Sequence, residues 1–93
     1  MKVVINTCHG GFGLSLLALH HYEAAIGGPV PKSWNWDAHR DDPELVRVVE
    51  LLGEKASSLL AYLEVVEIPD GIEWKIDEYD GWEHVAEKHR TWP

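Results

Sequence analysis

Glu73-Trp74-Lys75-Ile76-Asp77-Glu78-Tyr79-Asp80-Gly81-Trp82-Glu83-His84-Val85-Ala86 is the stretch that decides the fold of this chain. Apolar and polar residues alternate on both sides of Asp80-Gly81, a dipeptide suited to the positive φ angles of a two-residue hairpin turn. The pairing that follows sets Tyr79 opposite Trp82, Asp77 opposite His84 and Lys75 opposite Ala86 on one face, with Ile76 opposite Val85 on the other. The Ile76 face is read as the core side, which leaves Tyr79, Trp82, Asp77 and His84 as an aromatic and ionic surface. The returning strand is expected over 82–90, and a terminal helix over 82–89 is the competing reading. Asp77, Glu78, Asp80 and Glu83 gather around the turn. An open turn lacks the enclosure that tunes an acid and base pair, so these carboxylates are read as solvated.

Working back along the chain, Leu63-Glu64-Val65-Val66-Glu67-Ile68 is rich in β-branched residues and ends at Pro69-Asp70-Gly71, the pattern of a strand and a turn. Asp42-Pro43-Glu44 opens a helix with a capping acid and a proline at its first position. Leu45, Val48, Val49, Leu52 and Ala56 continue it at helical spacing, and Gly53 either ends it or lets it run to Ser57. Residues 29–41, with Trp34-Asn35-Trp36 inside them, read as a loop. Ser15 caps a helix over 16–26 that Gly27-Gly28-Pro29 closes. Leu16, Leu17, Leu19 and Ala24 are expected on its buried face, with His20, His21, Tyr22 and Glu23 on the wetter side. The expected fold is α+β in a single domain. The N-terminal strand joins the C-terminal strand and hairpin in a small mixed or antiparallel sheet packed against the two helices.

At the N-terminus, Val3-Val4-Ile5 reads as a strand that feeds Asn6-Thr7-Cys8-His9 and then Gly10-Gly11-Phe12-Gly13-Leu14-Ser15. Glycines there admit positive φ and close approach, and the free N–H groups of a helix start attract an anion. Asn6, Cys8, His9, Gly10, Gly11, Phe12, Gly13 and Ser15 are therefore the candidate ligand site. The spacing matches no nucleotide motif and the loop ends without a lysine, so a single phosphate or a carboxylate is the ligand it favours. A tight structural connection is the competing use of the same glycines.

Sixteen acidic residues against eight Lys and Arg give a formal charge of −8, which disfavours DNA, RNA and anionic membranes and favours a basic protein partner. Five tryptophans in 93 residues argue for a folded domain with at least one indole in a recognition surface. Trp34, Trp36, Asp77, Tyr79, Asp80, Trp82 and His84 are the candidate partner-binding residues. The single cysteine excludes an internal disulfide and fits a reducing compartment. With no signal peptide visible, a cytoplasmic protein is expected. The apolar run at 14–19 is too short to span a bilayer.

No histidine or cysteine pair has metal-ligand spacing, so neither a metal nor a cofactor is expected. The alternative to a binding protein is a small enzyme acting on a nucleotide-like substrate, with Cys8 as nucleophile and His9, His84 or His89 assisting. Cys8 and His9 are strand neighbours and point to opposite faces, which argues against their pairing with each other.

Three stretches together, VINTCHGGFGLS at the start, RDDPELVRVVELLG in the middle and VEIPDGIEWKIDEYDGWEHVAEKHRTW at the end, resemble a family of small uncharacterised proteins of bacteriophages and prophages. The resemblance implies a phage-type accessory protein that inhibits or modulates a host factor, including one of host defence, by occupying a protein surface or sequestering an anionic ligand. It implies a host protein as partner and the host cytoplasm as location; the glycine loop makes a small anionic ligand the other candidate partner, and a homodimer of the chain is a further one.

Overall fold

The computed structural model describes residues 1–88, and within them the fold is α+β. Strand β1 (Lys2–Asn6) is followed by helix α1 (Leu16–Ile26), helix α2 (Pro43–Leu52) and strands β2 (Leu63–Glu67), β3 (Trp74–Tyr79) and β4 (Trp82–Glu87). Short 3-10 turns lie at Trp36–His39, inside the expected loop, and at Gly53–Ala56, directly after α2. Thus α2 ends at Gly53, whose φ of 58° suits a residue without a side chain.

Both helix starts are capped as the residues predict. Ser15 Oγ accepts from Ala18 N at 3.0 Å, and Asp42 Oδ1 accepts from Glu44 N at 2.9 Å. The buried face of α1 differs from the expected one: Ala18 and Tyr22 enter the core, Leu19 is half-buried, and Leu16, Leu17 and Ala24 are exposed, while of the wetter side only His20 is exposed. A polar partner explains the tyrosine. Its hydroxyl donates to Asp42 Oδ2 at 2.6 Å, tying α1 to the cap of α2. Burial first, and then this carboxylate, push the Tyr22 phenol well above its ordinary range.

A raised acid pKa gives stability that is complete below the unfolded value, about 10, and is lost as pH climbs toward the folded value. The wild type should therefore lose stability progressively above about pH 10 by this linkage, and Tyr22→Phe should flatten that limb. At neutral pH the same variant should cost about 1 kcal/mol through the lost hydrogen bond. Urea midpoints recorded against pH check both outcomes, and an unchanged alkaline limb would remove Tyr22 from the account.

The strands divide into two antiparallel ladders rather than one sheet: β1 with β2, and β3 with β4. The pairing parity of β1 shows why. Thr7 N donates to Tyr62 O at 2.8 Å, so the odd-numbered residues of this strand face β2. The even-numbered Val4 and Asn6 turn their backbone groups outward, where a third strand would sit. Residues from elsewhere occupy that place. Val4 N donates to Arg40 O at 2.8 Å, Val4 O accepts from Arg40 Nη1 at 3.2 Å, and Asn6 N donates to Glu83 Oε1 at 2.7 Å. The hairpin thus joins the edge of β1 through side chains in place of a ladder.

Between α1, α2 and the inner face of the first ladder lies one core, built on Val4, Tyr22, Leu45, Val48, Val49 and Leu63. Trp34 and Trp36 pack against it, half-buried.

Candidate functional site

Glu83 is the residue whose solvated reading fails. It is buried on the face of β4 that carries Val85, a face expected on the core but whose Ile76 and Val85 are only half-buried and outside the core, and it pairs in two-pronged fashion with Arg40, which donates from Nη1 to Oε1 at 2.6 Å and from Nη2 to Oε2 at 2.8 Å. Arg40 is itself 1% exposed; it donates to Asp37 Oδ1 at 2.7 Å and lies 3.8 Å above the centroid of the Phe12 ring. Neither Arg40 nor the pair was evident from the residues. The parity of the hairpin carried the signal, because Glu83 shares its face with Ile76 and Val85, and a carboxylate there needs a buried cation.

Asn6 is fully buried and committed inward. Its Nδ2 donates to the carbonyls of Cys8 at 2.6 Å and Gly81 at 2.8 Å, while its Oδ1 accepts from Tyr62 N at 2.9 Å. One side chain therefore holds the start of the glycine loop against the hairpin turn. The turn itself has positive φ at Asp80 (51°) and Gly81 (88°), with the register Tyr79↔Trp82 and Asp77↔His84. The part of the expected strand at 89–90, and His89 with it, lie outside the described residues.

The glycines divide into two uses. A Cβ at Gly10 would run into the backbone of Leu60, and one at Gly13 would lie 2.6 Å from Ser58 Oγ, so both positions serve chain-to-chain packing. Gly11 has φ +90° and open space around it. Ser15 is engaged twice: besides capping α1 it donates from Oγ to Lys55 O at 2.6 Å.

His9 joins what the residues presented as separate sites. Its Nδ1 lies 3.0 Å from Asp80 O, and its ring centroid is 5.3 Å from that of Trp82, so the loop and the hairpin tip form one surface. On this surface Tyr79 is 79% and Trp82 46% exposed, with the carboxylates of Asp77 and Asp80 beside them. His84 Nε2 is 3.6 Å from Asp77 Oδ2 on the same strand pair.

Trp34 and Trp36 are not part of it. They meet each other at 6.1 Å and Tyr22 at 6.3 and 5.1 Å, while His39 stacks on Trp34 at 4.2 Å. The 3-10 turn folds both indoles back onto the core edge. Cys8 is half-buried, and among the described residues no histidine is in hydrogen-bonding contact with its thiol. An open groove of about 410 Å³ runs beneath the other face of the hairpin, lined by Asp37, Trp74, Ile76, Glu78 and Glu83 among others. Its mixed charge selects no single ligand class. Among the described residues no cluster of His, Cys, Asp and Glu could hold a metal, and no helix is long and apolar enough to cross a membrane.

Compared with protein-family models, curated proteins and solved structures, the chain matches none.

Proposed function

We propose that this is a non-enzymatic binding protein whose hairpin tip and glycine loop together contact a basic patch on another protein. The carrying observation is the exposed Tyr79 and Trp82 pair, braced by His9 and flanked by Asp77 and Asp80. Aromatic side chains supply contact area at low entropic cost, and the carboxylates steer a cationic partner. Behind this face, Asn6 and the Arg40–Glu83 pair hold the loop and the turn in place, which lowers the ordering cost of binding. Protein contact is favoured over sequestration of an anion for two reasons. Gly10 and Gly13 are filled from behind by the chain, and the Asp80 carboxylate 3.9 Å from His9 Nδ1 repels a second negative charge. The wider role, a phage-type accessory protein acting on a host or host-defence factor in the host cytoplasm, rests on the resemblance alone.

Affinity capture from a bacterial lysate with immobilised protein tests this. Wild type should retain a basic protein that salt releases, and Trp82→Ala should weaken retention at least tenfold, as loss of an interface anchor worth about 2 kcal/mol does. Equal retention by Tyr79→Ala/Trp82→Ala would sink the assignment. A rise in melting temperature with phosphate or a nucleotide, abolished by Gly11→Ala, would move the function to the loop as an anion site.

A further inference from the structure

The ribbon of β1 and β2 has two long edges, and only one of them is closed. On the outer side of β1 the backbone groups of Val4 and Asn6 are taken up by Arg40 and Glu83. Because the even-numbered residues of β2 pair with β1, its odd-numbered residues turn their backbone groups to the opposite edge. There Leu63 N donates to Ser57 Oγ at 2.8 Å. Beyond it the N–H and C=O groups of Val65 and Glu67 meet no hydrogen-bonding partner among the described residues. Pro69, which has no N–H, ends the run.

The same stretch holds two uncommitted carboxylates. Glu64 and Glu67 are exposed, and among the described residues neither is within ion-pair distance of a cation. Glu67 stands opposite Lys2, but the Lys2 ammonium is given to Glu50 at 2.8 Å. Side chains alternate along a strand, so the two glutamates lie on opposite faces of β2 with Val65 and Val66 between them.

We propose that the outer edge of β2 takes an extended segment of a basic protein as an added antiparallel strand. Open N–H and C=O groups on alternate residues select an extended backbone over a helix or a flat surface. The side chains select its sequence. Opposite Glu67 and Glu64 the segment carries Lys or Arg at positions three apart, with two apolar residues between them against Val66 and Val65. A second copy of the chain is the wrong occupant, since its β2 brings two more glutamates to the same short strip on a molecule of formal charge −8. The hairpin joins the ribbon at β1, so this edge is separate from the surface of Tyr79 and Trp82.

Amide hydrogen exchange of the full chain, followed by NMR with the capped peptide Thr-Lys-Val-Val-Lys-Thr as probe, tests the edge. In the free protein the Val65 and Glu67 amides should exchange quickly, and saturating peptide should slow both by roughly tenfold or more. Added salt should weaken the binding. Glu64→Lys/Glu67→Lys should bind this peptide about fivefold or more weakly and prefer the counterpart with Glu in place of Lys. Both side chains stand in solvent, so the variant should keep the wild-type circular dichroism spectrum. Trp82→Ala should bind the peptide as wild type does, which separates this contact from the one at the hairpin tip. Unchanged exchange at Val65 and Glu67 with millimolar peptide, or a charge-reversed variant that still prefers the Lys peptide, would overturn the proposal. So would slow exchange of both amides in the free protein: at every concentration it means that the chain itself covers the edge, and only at high concentration that a second copy does.

Discussion

Arg40→Met should destabilise the domain by about 3–5 kcal/mol, the cost of leaving one charge of a buried pair without its partner. Stabilities of natural domains are about 5–15 kcal/mol, so this change alone brings the protein close to unfolding at ambient temperature. The loss has three parts: Glu83 is stranded in the interior, Val4 O loses its donor, and Phe12 loses the guanidinium on its ring. Glu83→Leu should cost a similar amount by stranding Arg40. The double variant Arg40→Met/Glu83→Leu should recover part of that loss, since no charge is left buried. It should not regain wild-type stability, because Val4 O and Asn6 N remain unpaired at about 1–3 kcal/mol each. Urea unfolding of the four proteins closes the double-mutant cycle. A cost below about 1 kcal/mol for Arg40→Met would refute the role given to the pair.

The second large effect is expected at the hairpin turn. Gly81→Val should cost roughly 3 kcal/mol or more, because a β-branched residue is placed at φ 88°. Its Cβ would also lie 2.8 Å from the carbonyl carbon of His9 and 3.0 Å from Gly11 N. Gly11→Ala is the matched control. It has the same sign of φ, +90°, but open space around it, so only about 1 kcal/mol of backbone strain is expected. Thermal melts of the two variants therefore separate backbone strain from collision between the loop and the turn. Similar costs would show that the close approach of the two segments contributes nothing to stability.

Local chemistry was legible wherever a short stretch carries its own reason. Asp80-Gly81 and the alternation around it predict the hairpin register pair by pair, and Ser15 and Asp42 mark both helix starts. Contacts between distant segments were not. The pattern of α1 suggested that its leucines faced inward, but Tyr22 takes the buried position because Asp42, twenty residues away, receives its hydroxyl. Trp34 and Trp36, two residues apart, looked like a recognition loop, and the 3-10 turn that folds them onto Tyr22 has no strong local signature. The candidate site itself was read as two sites. His9 unites them through Asp80 and Trp82, contacts that span more than seventy residues of chain.

The use of Arg40 and Glu83 in place of a third strand also bears on the order of assembly. Asn6 and Glu83 are 77 residues apart, so the outer edge of β1 is completed only by contacts with a high loop-closure cost. A nascent or truncated chain that stops short of residue 83 can still pair β1 with β2, but the N–H of Asn6 then faces outward with no carboxylate to receive it. Such an edge is a template for strand addition between molecules. The glutamate is in that sense a guard against aggregation, and it is made 77 residues after the edge it protects.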